Sequence, residues 1–485
     1  MSSASKAFIM YAREDQEMLR ALINQLTPLR KSGKLSIWHD ERILPGDKWD
    51  TEIRKNLNEA DIIVLLVSSD FLSSEYIDQV EFKLALERHR QGKAIMVPVI
   101  ARPCLWEEEA TIVSLQALPR EGKPISTWHN RDEALFDTVK GVSQLLADIH
   151  IKATERRQSI EAVEKALSLY DEGKHRDAYE LLVKHAKEEH GVNPRGFHIL
   201  GRIYNLNEAN VPTNLEEAIR LYKIAGALGY KYSYNNIGMI YRDKQMFTQA
   251  HEWAQRGAEM EDAHALNLLG IMYNLGEGVN LNKVLAKQYF ENAIRYENMY
   301  AMYNLARIYL DEQNYKECFA LFERAASMGH MGAQYELAEL YRNGIPPNMN
   351  QAIVWYGKAA NQGSIEADFK LGEIFFEGIN GVTKDMVAAE IHYGKAAQKG
   401  HSDAQLMLGY LYSNIKKDVK SAMRWYEAAA AQNNRVAEFN MGVIFENGEN
   451  GKPDQALALE WYKKSAAHGY PEAINRLKKL NISGY

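Results

Sequence analysis

VSSDFLSSEYIDQVEFKLALE, Val67 to Glu87, reads as the end of a buried strand, a polar turn, and a helix carrying one carboxylate, Glu81, near its start. The strand is Asp61–Ser68 (DIIVLLVS), and its continuous apolar run suits a strand covered on both faces. Ser69 and Asp70 end that run, and Ser73 or Ser74 can cap the helix that follows through a side-chain oxygen. In open α/β sheets, ligands lie in the crevice outside the carboxyl ends of the strands. A carboxylate delivered there is placed for chemistry.

Outward from this stretch, residues 1–150 alternate strand-like and helical runs. Candidate strands are Ala7–Tyr11, Leu35–His39, Asp61–Ser68, Ala94–Ile100 and Lys123–Thr127. Between them lie the amphipathic stretches Asp15–Ser32, Asp50–Asn58 and Asp78–Gln91, and Arg131–Ala147 follows the last strand. Alternating β and α with apolar strands predicts an α/β domain whose mainly parallel sheet carries helices on both faces.

Five segments in this order resemble TIR domains, in particular the bacterial kind, over about Lys6 to Asp148. They are AFIMYARED (Ala7–Asp15), LRKSGKLSIWHDERILPGDKWDTEI (Leu29–Ile53), the Val67–Glu87 stretch, AIMVPVIARPCLW (Ala94–Trp106) and LPREGKPISTWHNRDEA (Leu118–Ala134). The resemblance implies a flavodoxin-like domain with a parallel five-stranded sheet, which either scaffolds protein assembly or hydrolyses NAD+. Two departures stand out. Met10 occupies a position where many relatives carry Ser, and Glu81 trails Tyr76 by one residue more than animal relatives commonly show. One residue on a helix is about 100° of rotation.

The reaction so implied breaks the nicotinamide–ribose bond, with NAD+ as substrate and no further cofactor. Nicotinamide leaves as a neutral molecule, so no acid has to protonate it. A carboxylate near the ribose stabilises the developing oxocarbenium, and one such group suffices. Glu81 is the candidate, its bland alternative being a solvated helix carboxylate. Asp78 is the neighbouring acid, outside the matching EFKLALE frame. Tyr76 offers a flat face to a ring of the substrate or packs against the sheet edge. Tyr11 and Arg13 fall on the loop after the first strand, where Arg13 could meet a phosphate or simply be solvated. Asp40, Gly46 and Trp49 belong, with Trp38 and Pro45, to a segment resembling the BB loop. In relatives that loop moves, contacts neighbouring TIR domains and helps line the NAD+ site. Pro45-Gly46 suits such a hinge, and Trp49 also reads as a core anchor for the next helix.

From about Ile151 the strands stop. A pattern emerges, (A/F)-x-x-x-L-(G/A)-x-x-Y, then a loop, then A-x-x-(W/L)-(Y/F)-x-x-A-A-x-x-G. Its small anchor recurs at Gly201, Gly238, Gly270, Ala306, Ala338, Gly372, Gly409 and Gly442, spaced 32 to 37 residues apart. Trp355-Tyr356, Trp425-Tyr426 and Trp461-Tyr462 mark the second helix. The period is that of helix–turn–helix solenoids, and the wording resembles Sel1-like repeats, relatives of the tetratricopeptide class, over roughly Arg195 to Gly469. Small anchors let two helices approach, and the aromatic residues read as packing between layers. Two further helices, Ser159–Tyr170 and His175–His190, precede the first copy, and Tyr470–Leu480 reads as a terminal cap. The predicted organisation is residues 1–150 as the α/β domain, 151–194 as an opening helix pair, and 195–485 as an all-α solenoid.

The bulk properties set limits. Among 485 residues the net charge is −6, which argues against a broad nucleic-acid surface. Two cysteines, Cys104 and Cys318, allow no disulfide framework and suit a reducing, cytoplasmic setting. The longest apolar runs fall well short of the ~20 residues a membrane helix needs. No phosphate loop, zinc-protease helix or serine elbow is present. The leading reading is an NAD+ hydrolase switched on when TIR domains cluster. The solenoid would then sense a protein trigger or client, as the resemblance implies for bacterial anti-phage defence. The alternative is a non-catalytic signalling adaptor that binds other TIR domains and client proteins, since fold alone does not decide activity.

Overall fold

The computed structural model describes residues 4–39, 49–73, 80–344, 348–480 and 482. The chain divides into two compact units, residues 1–193 and 194–485.

In the first unit, β1 (Ser5–Met10), β2 (Leu35–Trp38), β3 (Ile62–Val67) and β4 (Ile95–Ile100) form a parallel sheet in the order β2-β1-β3-β4. Every residue of β3 is buried, as its unbroken apolar run requires of a central strand with two covered faces. Successive side chains alternate between those faces. Ile9, Val64 and Val97 pack with Leu19 and Leu22 of helix Gln16–Gln25 and with Leu135 and Val142 of helix Arg131–Asp171. Met10, Leu65 and Met96 pack on the other side. Their partners are Ile53 and Leu57 of helix Trp49–Glu59, and Phe82 and Ala85 of helix Val80–Arg90.

Three expectations change. Lys123–Thr127 is not a fifth strand: Ile125–Thr127 forms a 3-10 turn, and the sheet has four strands among the described residues. Leu118 alone bridges the edge of β4, accepting from the Ile100 N–H at 2.8 Å and donating to the Pro98 carbonyl at 2.8 Å. Pro119 and Pro124 bring no N–H, so the ladder cannot run on. The Asp15–Ser32 stretch is two helices, Gln16–Gln25 and Thr27–Lys31, with Pro28 in the first turn of the second. Conversely, Arg131–Asp171 is one helix of 41 residues, about 60 Å long, where two were expected. No Gly or Pro interrupts residues 148–158, so nothing in the sequence breaks it. Residues 151–158 are exposed all round, and burial resumes at Ser159, Val163 and Ala166.

The second unit is a stack of helix pairs. Its anchors work by contact. A Cβ built on Gly372 would lie 2.5 Å from the Tyr393 ring, one on Gly409 2.5 Å from Tyr426, and one on Gly442 2.6 Å from Tyr462. Each glycine therefore seats the aromatic ring of the second helix of its own repeat. In the tryptophan–tyrosine pairs it is the tyrosine that is wholly inside, as at Tyr356, Tyr426 and Tyr462. Trp425 and Trp461 sit at the margin, the latter with Lys464 Nζ 4.4 Å from its ring centroid. Helix Pro471–Lys479 closes the stack, burying Ala473 and Leu477 against Tyr462 and Ala466.

Candidate functional site

Because β1, β3 and β4 are parallel, the segments leaving their carboxyl ends gather at one edge of the sheet. Order β2-β1-β3-β4 puts the reversal of chain direction between β1 and β3, the position where such sheets hold ligands. Helix Val80–Arg90 links the carboxyl end of β3 to the start of β4, so it runs back along the sheet and its first turn stands at the carboxyl edge. Glu81 lies in that first turn and is partly exposed. Its stripe continues one turn on through Leu84 and the fully buried Ala85, so Glu81 stands at the amino-terminal end of the helix's core-facing stripe.

The other candidates divide. Arg13 is exposed, in a 3-10 turn after β1. Tyr11 is only 7 % exposed and belongs to the core with Ile9, Leu19 and Val64. Trp49 opens helix Trp49–Glu59, while Asp40, Gly46, Tyr76 and the alternative acid Asp78 lie outside the described residues. Trp38 stacks on Phe8 with ring centroids 4.9 Å apart, a packing role. Of the two capping candidates for the Glu81 helix, Ser74 lies outside the described residues and Ser73 belongs to the preceding element. Ser73 ends a short helix, Ser69–Ser73, and its hydroxyl donates back to the Asp70 carbonyl at 3.3 Å.

Sequence reasoning missed an ionic cluster at the same edge. Asp15, after β1, is 3 % exposed. The Ser68 hydroxyl, after β3, donates to Asp15 Oδ2 and accepts from the Phe71 N–H at 3.1 Å. Arg102, after β4, donates from Nε and Nη2 to Asp15 Oδ1 at 3.0 and 2.6 Å, and from Nη2 to Asp70 as well. Partial loss of solvent opposes the Arg102 charge, but the hydrogen bonds to Asp15 and Asp70 outweigh it and raise its pKa. Burial likewise pushes up the neighbouring Cys104 thiol, which is the wrong direction for a nucleophile. One guanidinium thus ties together the exits of three strands. The signal was available: each of these residues follows the carboxyl end of a strand within a few positions. No grouping of metal ligands occurs among the described residues.

With the geometry in place, comparison with known proteins is direct. Residues 7–138 match the TIR domain family, and eight segments between 198 and 470 match the Sel1 repeat, together more than half of the chain. The chain belongs to the Sel1-repeat family. Its TIR domain precedes the Sel1 repeats. An uncharacterized protein of Sinorhizobium fredii is 40% identical over 137 residues, which is 28% of this chain and 42% of that protein. Chitin synthase regulatory factor 3 of Schizosaccharomyces pombe is 24% identical over 325 residues, 63% of this chain and 31% of that protein. The chain thus spans less than half of either relative. A crystal structure of a protective antigen of uropathogenic Escherichia coli, described as having an SLR fold, superposes with a TM-score of 0.50 at 24% identity. It covers 71% of this chain and 74% of its own. That likeness shows the repeat fold. Among the described residues, no helix is long and apolar enough to cross a membrane.

Proposed function

We propose that the TIR domain hydrolyses NAD+ at the nicotinamide–ribose bond, with Glu81 as the essential carboxylate. The bond from ribose C1′ to the pyridinium nitrogen breaks, and its electron pair neutralises that nitrogen. The ribosyl cation is stabilised by the Glu81 carboxylate and captured by water, which loses a proton to give ADP-ribose. The observation that carries this reading is the position of Glu81, in the first turn of a helix at the carboxyl edge, beside the reversal of strand order. The Asp15–Arg102–Asp70 cluster supports it from the other side. Arg102 is already shared between Asp15 and Asp70, which commits those two carboxylates, whereas Glu81 is partly exposed. Clustering of TIR domains would complete the site, the Sel1 repeats would bind a protein trigger or client, and the setting would be defence against phage.

The test is NAD+ loss over time with the native chain and with Glu81→Gln, each with and without a crowding agent that forces assembly. Loss confined to the native chain and increased by crowding supports the reading. Equal loss in both proteins removes Glu81 from the chemistry. No loss in the crowded native chain rejects assembly-gated hydrolysis and favours the adaptor reading.

A further inference from the structure

The two edges of the sheet differ. The β4 edge is closed by Leu118, which bonds the Ile100 N–H and the Pro98 carbonyl. The other edge belongs to β2, which pairs with β1 on one side and with no strand among the described residues on the other. Along a strand, the N–H and C=O of one residue point to one side and those of the next to the opposite side. The Ser5 N–H donates to the Lys34 carbonyl at 3.1 Å, and the Ser36 hydroxyl reaches the Ser5 carbonyl at 3.4 Å. Lys34 and Ser36 therefore serve β1, and the main-chain groups of Leu35 and Ile37 face outward. The side chains of Leu35 and Ile37 are buried in the core, which fixes those amides in place.

An unpaired strand edge is a template for another strand, and proteins commonly blunt it with a proline, a bulge or a cover. Residues Leu35–Trp38 include no proline and pair with β1 in an unbroken register. Along them lies a cavity of about 390 Å³. One wall is Leu35, Ser36 and Ile37, and the other is Thr27, Arg30 and Lys31 of helix Thr27–Lys31. Thr27, Arg30 and Lys31 stand at i, i+3 and i+4, so they share one face of that helix.

Charge selects the occupant. Residues 18–39 hold Arg20, Arg30, Lys31 and Lys34 and no acid, in a chain whose net charge is −6. Arg30 and Lys31 are exposed and have no ion-pair partner among the described residues. Cations on a strand edge oppose pairing with a second copy, which would bring the same charges to the same seam. A nucleic acid would use the cations and leave the N–H and C=O of Leu35 and Ile37 idle. An acidic polypeptide uses both.

We propose that the outer edge of β2 accepts an extended acidic segment of a partner protein as an added strand. Its main chain pairs with Leu35 and Ile37, and its alternate side chains lie over the cavity. Every second side chain of a strand turns to the same face, so carboxylates at i and i+2 meet Arg30 and Lys31. The four residues of β2 give a seam about 13 Å long, which fits one such acidic pair. The inference does not depend on NAD+ cleavage or on the repeats, so each can fail alone.

The experiment pans a phage-displayed library of random 12-residue peptides on the full chain, after depletion on Arg30→Glu/Lys31→Glu. Selected peptides are synthesised and titrated by fluorescence anisotropy. The expected binders carry acids at i and i+2, and their affinity falls at least tenfold in Arg30→Gln/Lys31→Gln. N-methylation along the peptide should weaken binding at every second amide. On the native chain, bound peptide should slow amide exchange at least tenfold at Leu35 and Ile37 and leave Ser36 little changed. Melting curves of both variants are compared with native, and the methylation and exchange results need neither variant. Failure to select an acidic binder overturns the proposal, as does methylation sensitivity without a two-residue period. Unchanged exchange at Leu35 and Ile37 does so too. A 12-nucleotide RNA that binds more tightly than every selected peptide assigns the cations to a phosphate backbone and overturns it. Self-association of the glutamine variant, with no acidic peptide bound by the native chain, would mean the cations only guard the edge.

Discussion

Gly372 and Gly394 sit inside helices of the same Sel1 repeat, one on each side of Tyr393, and alanine at the two positions should shift stability in opposite directions. At Gly372 the added Cβ would lie 2.5 and 2.6 Å from two Tyr393 ring carbons. Carbon atoms in contact prefer about 3.5–4.0 Å, so the overlap is about 1 Å. The ring cannot swing away: Tyr393 is fully buried between Phe369 and Phe376, with centroids 5.8 and 6.3 Å away. Overpacking of this kind costs about 1–3 kcal/mol. Replacing a mid-helix glycine by alanine returns about 1 kcal/mol of backbone entropy and propensity. At Gly394 nothing lies within 4 Å of the new methyl, and only the favourable term remains. Gly394→Ala should therefore gain about 0.5–1 kcal/mol, and Gly372→Ala should fall about 1–3 kcal/mol below it. Urea midpoints of the two variants and the native chain measure the difference. A Gly372→Ala protein as stable as Gly394→Ala would refute the claim that this glycine exists to seat the ring.

Arg102→Ala should destabilise the TIR domain by about 3 kcal/mol, because among the described residues it leaves the buried Asp15 carboxylate with the Ser68 hydroxyl as its side-chain partner. Arg102→Lys should recover part of that loss, and thermal melting of the three proteins decides; equal melting would mean the cluster contributes nothing. The pH dependence of the repeats should carry the signature of His198, whose pKa burial pushes down to about 4. The unfolded chain titrates this group near 6.5, so between about pH 6.5 and 4 it binds more protons than the folded one, and stability falls as pH falls through that window. The loss is about 2 kcal/mol at pH 5, and urea midpoints at pH 7 and 5 should converge in His198→Gln; an unchanged pH dependence would reject the assignment.

Much of the architecture was legible because it rests on periodicity. The apolar runs at residues 61–68 and 94–100 could be strands covered on both faces and little else, and the recurring anchor and tyrosine marked the helix pairs. The misreadings came where a local signal competed with context. Lys123–Thr127 has the look of a strand, but Pro119 and Pro124 deny the sheet its ladder there. Residues 148–158 lack apolar spacing and so suggested a gap, yet a chain without a breaker between two packed helical ends stays helical. Glu81 stood out as a candidate because its motif is contiguous. The Asp15–Ser68–Asp70–Arg102 cluster was overlooked because its members come from three separate strand exits, up to 87 residues apart, and no local pattern ties them together.

The sequence by itself determined the TIR domain followed by Sel1 repeats, the helix carrying Glu81, and the spacing of the repeat anchors. All of these depend on neighbours along the chain. Only the tertiary structure decided that Arg102 is consumed by two carboxylates and that Tyr11 is a core residue. Those outcomes depend on which distant groups meet. A side chain's partner is set by the packing of whole strands and helices, which periodicity identifies one at a time but does not bring together.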